Sequence, residues 1–391
     1  MKKNCLTLFL LIHLMLLSKT DAQSLTIIEQ DYEQAQQLAN QQQKLLLIDF
    51  YTTWCGPCKL LDKMVFRDTA VSNTIAGNYV VLRYNAEKDS VYKLTQKHHI
   101  GMYPSAVVLN TQQRVVYQQY GTGGPEEALV VNYIAFLNKA KSMDSAGYYI
   151  PGVEASTQLA YPAFYSHYIN RVQVREAEKQ AGKYWDTLTH LQQEIPFKIF
   201  CYFGGGNNKW NDYFLQHRAE FLHLYGETDV LFATSMIVVG KVNSALSALN
   251  RPGFDSAIQL AKLYLNTSGN QRYTDMAELR MLQAEGKWDM AYNRLDTLKK
   301  QERATSEDIV RFCRNAVSKC ENEAVLNKLI SWMQNISESS SDYDNLELYA
   351  RLLYKAGRKT GSSAMMKKAI EVGKKNNINT SEGEKWLAEN F

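Results

Sequence analysis

The sequence predicts an α/β domain, built as a central mixed sheet with flanking helices, followed by an all-α helical array. Apolar runs of strand length alternate with helical segments up to about residue 140. From residue 141 onward the strand signals mostly disappear, and apolar side chains recur at helical spacing. The chain of 391 residues also exceeds the roughly 150 residues of one average domain, which favours at least two units.

The composition excludes several classes of protein. Apolar residues make up 45% of the chain and charged residues 21%, and these ordinary globular values argue against both wholesale disorder and a multi-span membrane protein. The net charge is +4, and no run of Lys or Arg forms a basic stripe. Nucleic acid is therefore not expected as a partner.

Residues 1–22 have the pattern of a cleaved signal peptide. Lys2 and Lys3 precede an apolar stretch at 6–17, and the small residue Ala22 follows a short polar segment. The apolar stretch is shorter than the roughly 20 residues that span a bilayer, so no stable membrane insertion is expected. We therefore predict a protein that is periplasmic or otherwise exported.

The first domain is predicted at residues 23–140. It opens with an amphipathic helix that carries Tyr32, Ala35 and Leu38 on one side. The run at 45–51 is apolar on both faces, which predicts a strand buried between helices in a largely parallel sheet. Three further strands are predicted at 79–84, 105–109 and 114–120, and the last two are close enough to form an antiparallel hairpin. Four further helices are predicted. The first begins at Cys55, the second has Asp68 as its N-cap, the third contains Val91 and Leu94, and the fourth starts at 123–125.

Cys55 and Cys58 stand where the first predicted strand passes into a helix. Unpaired backbone N–H groups and the helix dipole favour a thiolate at a helix N-terminus, which makes Cys55 the predicted nucleophile. Cys58 lies one turn further along and is predicted to resolve the mixed disulfide. Gly56 lets the loop turn tightly, and Pro57 fits the first helical turn, where a missing N–H costs little.

Two residues beside the cysteine pair complete the predicted chemistry. Asp49 is a carboxylate within an apolar strand, so burial should raise its pKa. Strand alternation places it under the loop that follows, where it would accept the proton of Cys58. Trp54 directly precedes the first cysteine and is expected to cover the site.

Residues 24–140 resemble the thioredoxin superfamily. The resemblance is carried by an Asp six residues before the first cysteine and by the dipeptide Gly-Pro between the cysteines. It implies that Pro104 is a cis-proline that presents backbone to substrate, with Tyr103 beside the active sulfur. It also implies that Arg83 replaces a Lys near the buried Asp, and that Gly121 keeps the substrate groove open.

Within that superfamily, Val65-Phe66-Arg67-Asp68 and the segment 100–105 are similar to the C-terminal domain of DsbD and its exported relatives. This similarity implies a membrane electron donor of the DsbD type and no bound cofactor. The Gly-Pro dipeptide is that of reducing thioredoxins, which have potentials near about −270 mV, against about −120 mV for the oxidant DsbA. Reduction of protein disulfides is therefore the predicted direction.

The region 141–391 is predicted to be helical, with a loosely tetratricopeptide-like array at 273–375. Gly286 and Gly357 stand 71 positions apart, which is close to twice the roughly 34-residue period of such repeats. The intervening segment 308–332 would be a middle hairpin, although it carries few small residues. The oligomeric state is left open.

The other cysteines and the histidines are candidates for alternative sites. A zinc site at the cysteine pair would need two more ligands, and His98 and His99 are expected to be solvated at a polar helix end, so no metal is predicted. Cys313 and Cys320 would lie about 10.5 Å apart along one helix, which forbids a mutual bridge. They are expected to be buried as small apolar residues, and the pairing of Cys201 is left open.

The helical spacing of Tyr161, Phe164, Tyr165 and Tyr168 favours a packed stripe over a ligand groove. Taken together, the sequence predicts an exported thiol-disulfide oxidoreductase that acts on disulfide-containing proteins. The alternative is a binding or adaptor protein, in which the helical region holds a partner and the first domain is mainly a scaffold.

Overall fold

The computed structural model describes residues 25–155, 160–204, 209–265, 268–339 and 342–391. The predicted signal peptide at 1–22 lies outside these residues. The chain forms two compact units, Met1–Met236 and Ile237–Phe391. The first unit therefore continues well past residue 140, and the predicted domain limits of 23–140 and 141–391 remain predictions.

A five-stranded sheet forms the centre of the first unit, and it is mixed, as predicted. Its strands are β1 Ile27–Glu29, β2 Leu45–Tyr51, β3 Tyr79–Asn85, β4 Ser105–Leu109 and β5 Val115–Tyr120. The spatial order is β1-β3-β2-β4-β5. β1 and β2 run parallel to β3, whereas β4 is antiparallel to both β2 and β5. Strand β2 is central and buried, and it places Asp49 between Arg83 of β3 and Ala106 of β4.

The sequence reading missed β1, because three residues with exposed ends give no period-two pattern. The predicted first helix begins after this strand, at Tyr32, where Asp31 accepts a hydrogen bond from the backbone of Gln34 at 2.9 Å. Its buried side is formed by Tyr32, Ala35 and Ala39.

The first unit contains nine complete helices among its described residues, and a tenth continues into the second unit. They are α1 Tyr32–Gln41, α2 Gly56–Met64, α3 Thr69–Asn78, α4 Leu94–Lys97, α5 Leu129–Ser145, α6 Ala163–Ile169, α7 Val174–Thr187, α8 Glu194–Phe203, α9 Lys209–Gln216 and α10 Arg218–Ser247. Asp68 caps α3 as predicted. The prediction that Val91 and Leu94 share a helix was wrong, because α4 begins at Leu94 and Val91 is exposed.

Helix α10 is long enough and apolar enough to cross a membrane. The core helix of a soluble protein can have the same length and composition. Its backbone leaves the helical conformation at Gly226, where φ is 75°. Three residues later, the buried Asp229 forms an ion pair with the buried Lys198 of α8.

Residues that follow the sheet in sequence cover the outer edge of β5. The N–H of Ile150 donates to the carbonyl of Val115 at 2.7 Å, and the hydroxyl of Thr228 donates to the carbonyl of Gln118 at 2.9 Å. Residues up to at least Thr228 therefore complete the structure of the α/β domain.

The described residues of the second unit are helical and form successive helix pairs. Its further helices are α11 Arg251–Tyr264, α12 Ser268–Ala284, α13 Trp288–Lys300, α14 Ser306–Lys319, α15 Glu323–Ser339, α16 Tyr343–Lys355, α17 Lys359–Lys375 and α18 Ser381–Asn390. Gly286 and Gly357 lie in the turns between α12 and α13 and between α16 and α17, with φ of 73° and 76°. The predicted middle hairpin corresponds to α14 and α15, and the relationship of this array to tetratricopeptide repeats remains a prediction.

Candidate redox-active site

Cys55 and Cys58 are joined by a disulfide at the start of α2, with their Cα atoms 5.3 Å apart. Cys55 is the N-cap residue of this helix, and its sulfur accepts a hydrogen bond from the backbone N–H of Cys58 at 3.1 Å. Pro57 lies in the first turn, as predicted. Both cysteines are only 3–4% exposed, so little surface of the bridged pair is open to a partner.

The loop before the cysteines is anchored by a residue that the sequence reading missed. The backbone N–H and the hydroxyl of Thr53 both donate to one carboxylate oxygen of Glu87, at 2.6 and 2.7 Å. These two hydrogen bonds lower the pKa of Glu87. Glu87 lies just after β3, so the hydrogen bonds tie the active-site loop to the neighbouring strand end. No local pattern marks this contact, because 34 positions separate the two residues.

Asp49 is buried in β2, and burial raises its pKa to about 7. The shift has the direction that the sequence predicted. Its carboxylate forms an ion pair with the Nε of Arg83 at 2.8 Å, which opposes the effect of burial, whereas the nearby carboxylates of Asp62 and Glu29 add to it. A group with this pKa changes its charge near neutral pH.

Arg83 links Asp49 to a second carboxylate. Its Nη1 lies 2.7 Å from Asp62, and its guanidinium packs over the rings of Tyr51 and Phe66. Asp62 follows Cys58 by four positions on α2, so both side chains lie on the same face of the helix. The sequence reading missed Asp62, although this spacing was visible. The arrangement connects the buried Asp49 with a carboxylate that is 40% exposed.

The predicted substrate-binding residues lie together, with Trp54 exposed, Tyr103 and Gly121 partly buried and Pro104 buried. The peptide bond between Tyr103 and Pro104 is cis, and the carbonyl of Pro104 accepts from the N–H of Gly121 at 2.8 Å. Gly121 has a φ of 73°, and no atom lies within 4 Å of the position a Cβ would take. Trp54 is 62% exposed and meets the edge of Tyr103, with ring centroids 6.0 Å apart. Their role in binding substrate remains a prediction.

The expectation that His98 and His99 are solvated was wrong. Both are buried, His99 by the aromatic residues that follow the sheet and His98 against the sheet itself. His99 Nδ1 lies 2.8 Å from the hydroxyl of Tyr165 in α6, and His98 packs against Phe50. Burial lowers the pKa of both imidazoles. Within the described residues, no group of three or more His, Cys, Asp or Glu side chains could hold a metal ion.

The predicted aromatic stripe is packed. Phe164 and Tyr165 are buried, and the stacked rings of Tyr161 and Tyr165 both contact His99.

In the part of the chain that the structure describes, Cys201, Cys313 and Cys320 are free and buried, as expected for Cys313 and Cys320. Burial raises the pKa of Cys313 to about 12 and also raises the pKa of Cys201 and of Cys320. These thiols therefore stay protonated near neutral pH.

The chain is similar to known proteins over its first domain. The family profile described as thioredoxin-like matches residues 27–111. Thioredoxin-1 of Drosophila melanogaster is 31% identical over 97 residues, which cover 25% of this chain and 82% of that protein. Thioredoxin of Malassezia sympodialis is 32% identical over 72 residues, covering 18% and 65% of the two chains. Among solved structures, a thioredoxin from Thermus thermophilus is 17% identical with a TM-score of 0.28, and the match covers 32% of this chain and 94% of that one.

Proposed function

The chain belongs to the thioredoxin family through its N-terminal domain, and from that premise we propose that it is an exported reductase of protein disulfides. The bridged pair of Cys55 and Cys58 at the start of α2 carries this proposal, because a thiol-disulfide oxidoreductase needs two sulfurs that can join and separate there. The more general assignment, a thiol-disulfide oxidoreductase, follows from the family and from this pair.

The proposed reaction starts from the reduced pair. The thiolate of Cys55 attacks one sulfur of a substrate disulfide, forms a mixed disulfide and releases the other substrate sulfur as a thiolate. Cys58 then loses its proton to Asp49 and attacks the sulfur of Cys55. The bond between Cys55 and the substrate breaks, the second substrate thiolate leaves, and the pair ends in the bridged state that the structure holds. Two electrons have passed from the pair to the substrate.

The surroundings of Asp49 support its role as the proton acceptor. Its pKa of about 7 allows it to take a proton from Cys58 and to release it near neutral pH. Arg83 joins it to the partly exposed Asp62, and its guanidinium, which stays protonated, balances the charge of Asp49 after the proton has left. The step uses side chains of the chain itself.

The compartment and the electron donor are part of the proposal. The signal-peptide pattern at 1–22 supports export, and the similarity of 65–68 and 100–105 to the DsbD branch supports a DsbD-type membrane donor. Such a donor is required because a bacterial periplasm is kept oxidising, so an exported reductant must receive electrons across the membrane. A measured potential of the pair above about −150 mV would contradict the reductase assignment.

Trapping tests the proposal most directly. A Cys58→Ser variant cannot resolve the mixed disulfide, so it should accumulate client proteins on Cys55 that are released by dithiothreitol. The double variant Cys55→Ser/Cys58→Ser is the matched control and should trap none. If Cys58→Ser also traps none in cells that express it as an exported protein, the adaptor hypothesis replaces the reductase assignment.

A further inference from the structure

We propose that Tyr202 and Arg171, in the helical part of the first unit, position the loop that leads to Pro104 and thereby set the affinity for protein substrates. The inference rests on the proposed function for the identity of the substrate. It assigns a role at the redox site to helices outside the region that matches the family profile, which ends at residue 111.

Gly101, three residues before Pro104, is held by both of its backbone groups. Its N–H donates to the hydroxyl of Tyr202 at 2.9 Å, and the same hydroxyl donates to the carbonyl of His99. The guanidinium of Arg171 donates to the carbonyl of Gly101 at 2.7 Å. Three hydrogen bonds from two side chains therefore fix the backbone directly before the cis-proline.

The ring of Tyr202 also lies directly against this backbone. A Cβ added at Gly101 would be 2.5 Å from the ring of Tyr202. Such an approach is possible only because position 101 is glycine. The tyrosine thus restricts the loop by contact as well as by hydrogen bonding.

Buried polar contacts fix how the helices dock on this loop. Lys97 pairs with Glu194 of α8 at 3.1 Å, and both side chains are buried. His99 meets Tyr165 of α6 at 2.8 Å. Because a buried polar or charged group is costly without a partner, these pairs favour one docked position over all shifted ones. Tyr202 and Arg171 are consequently held at a fixed place above Gly101.

The far side of the loop is fixed in a similar way. The hydroxyl of Tyr120, at the end of β5, donates to Asp229 of α10 at 2.6 Å. The next residue, Gly121, donates its N–H to the carbonyl of Pro104. The cis-proline therefore lies between two attachments to the helices that follow the sheet, one to Tyr202 of α8 and the other to Asp229 of α10.

This arrangement should act on substrate binding and leave the sulfur chemistry unchanged. Surface loops are mobile by default, and a binding loop that is already ordered loses less entropy when its partner binds. Among the contacts of the described residues, neither Tyr202 nor Arg171 meets Cys55 or Cys58, so the potential of the pair and the reactivity of Cys55 should not depend on them.

The test compares Tyr202→Phe with Tyr168→Phe in the full chain. Tyr168 packs against Tyr202, with ring centroids 5.8 Å apart, but its hydroxyl makes no hydrogen bond to the loop in the described part of the chain. We expect Tyr202→Phe to raise the KM for insulin reduction about tenfold, the equivalent of about one hydrogen bond. The kcat, the reaction with 5,5′-dithiobis(2-nitrobenzoic acid) and the potential of the pair should stay within about twofold of wild type.

Two further measurements support the test: one does not depend on activity, and the other uses variants of Arg171 instead of Tyr202. The amide hydrogen of Gly101 should exchange faster in Tyr202→Phe than in Tyr168→Phe, because it loses its acceptor. Arg171 is exposed, so Arg171→Gln should fold. Arg171→Gln should raise the KM for insulin about threefold, and Arg171→Lys should raise it less.

Two outcomes overturn the inference, and a third concerns the proposed function. An unchanged KM in both variants means that the loop does not depend on these side chains for binding. An equal loss towards insulin and the small disulfide indicates a general structural defect. If the wild-type protein fails to reduce insulin, the proposed function falls, and amide exchange at Gly101 alone decides whether Tyr202 holds the loop.

Discussion

Cysteine side chains have different surroundings, and therefore different reactivity, in the two units of this protein. In the first unit, Cys55 caps a helix and its sulfur receives a backbone N–H. In the second unit, Cys313 is buried among apolar side chains, and burial raises its pKa to about 12. A sulfur at a helix N-terminus meets unpaired N–H groups that stabilise negative charge, whereas a sulfur in an apolar core has no such partner. Reactivity is thus decided by position relative to the helix end.

The largest expected effect separates these two positions. Cys55→Ser should lower the turnover of insulin at least about 10³-fold, because it removes the nucleophile. Cys313→Ser should leave turnover within about twofold of wild type. Equal losses in the two variants would show that the second unit takes part in the chemistry and would break the comparison.

Replacement of the buried carboxylate tests the proton step. Asp49→Asn should slow the resolving step about 10²-fold, the lower end of what general base catalysis contributes, and flatten its pH dependence around pH 7. The measurement is the decay of a preformed mixed disulfide on Cys55 between pH 5.5 and 8.5.

Asp62→Asn is the matched control for this step. It keeps the base but removes a charge that raises the pKa of Asp49, so the pH profile should move to lower pH while the maximal rate stays near that of wild type. A wild-type pH dependence retained in Asp49→Asn would show that another group accepts the proton.

Asp49 should also make the stability of the protein depend on pH. The pKa of Asp49 is raised from 3.8 to about 7 by folding, so the native state holds the proton more tightly and stability falls as pH rises between about 4 and 7. Asp49→Asn removes this dependence and should stabilise the protein at pH 8 by about 2 kcal/mol, less than the full shift because Arg83 loses a partner. Urea unfolding at pH 4 and pH 8 measures the effect, and a greater gain at pH 4 would contradict the assignment.

The smallest effect concerns the turns of the second unit. Gly286 and Gly357 adopt positive φ at corresponding places, and a Cβ would meet no atom at either position. Gly286→Ala and Gly357→Ala should therefore each cost about 1 kcal/mol from backbone strain alone. Gly182→Ala, inside α7 and equally unobstructed, is the control and should not destabilise. A clear difference between the two turn variants, measured by thermal unfolding, would argue against equivalent helix pairs.

Local patterns predicted the elements and residues that depend on neighbours in sequence. The four longer strands follow from apolar runs, and Asp49, Cys55 and Cys58 follow from spacing. β1 was missed because three residues form no pattern, and the burial of His98 and His99 was missed because the covering residue Tyr165 lies 66 positions from His99. Glu87, Tyr202 and Arg171 escaped for the same reason, since each acts through a contact that no local periodicity records.

The covered edge of β5 has a practical consequence for fragments of this protein. Ile150 and Thr228 donate hydrogen bonds to carbonyl groups along that edge. In a fragment ending at residue 140, these carbonyl groups would lose their donors. Open strand edges pair readily with other copies, and such a fragment should self-associate on expression. A soluble redox-active truncation should therefore extend at least to Ser247, because the first compact unit ends inside α10 and that helix should stay whole.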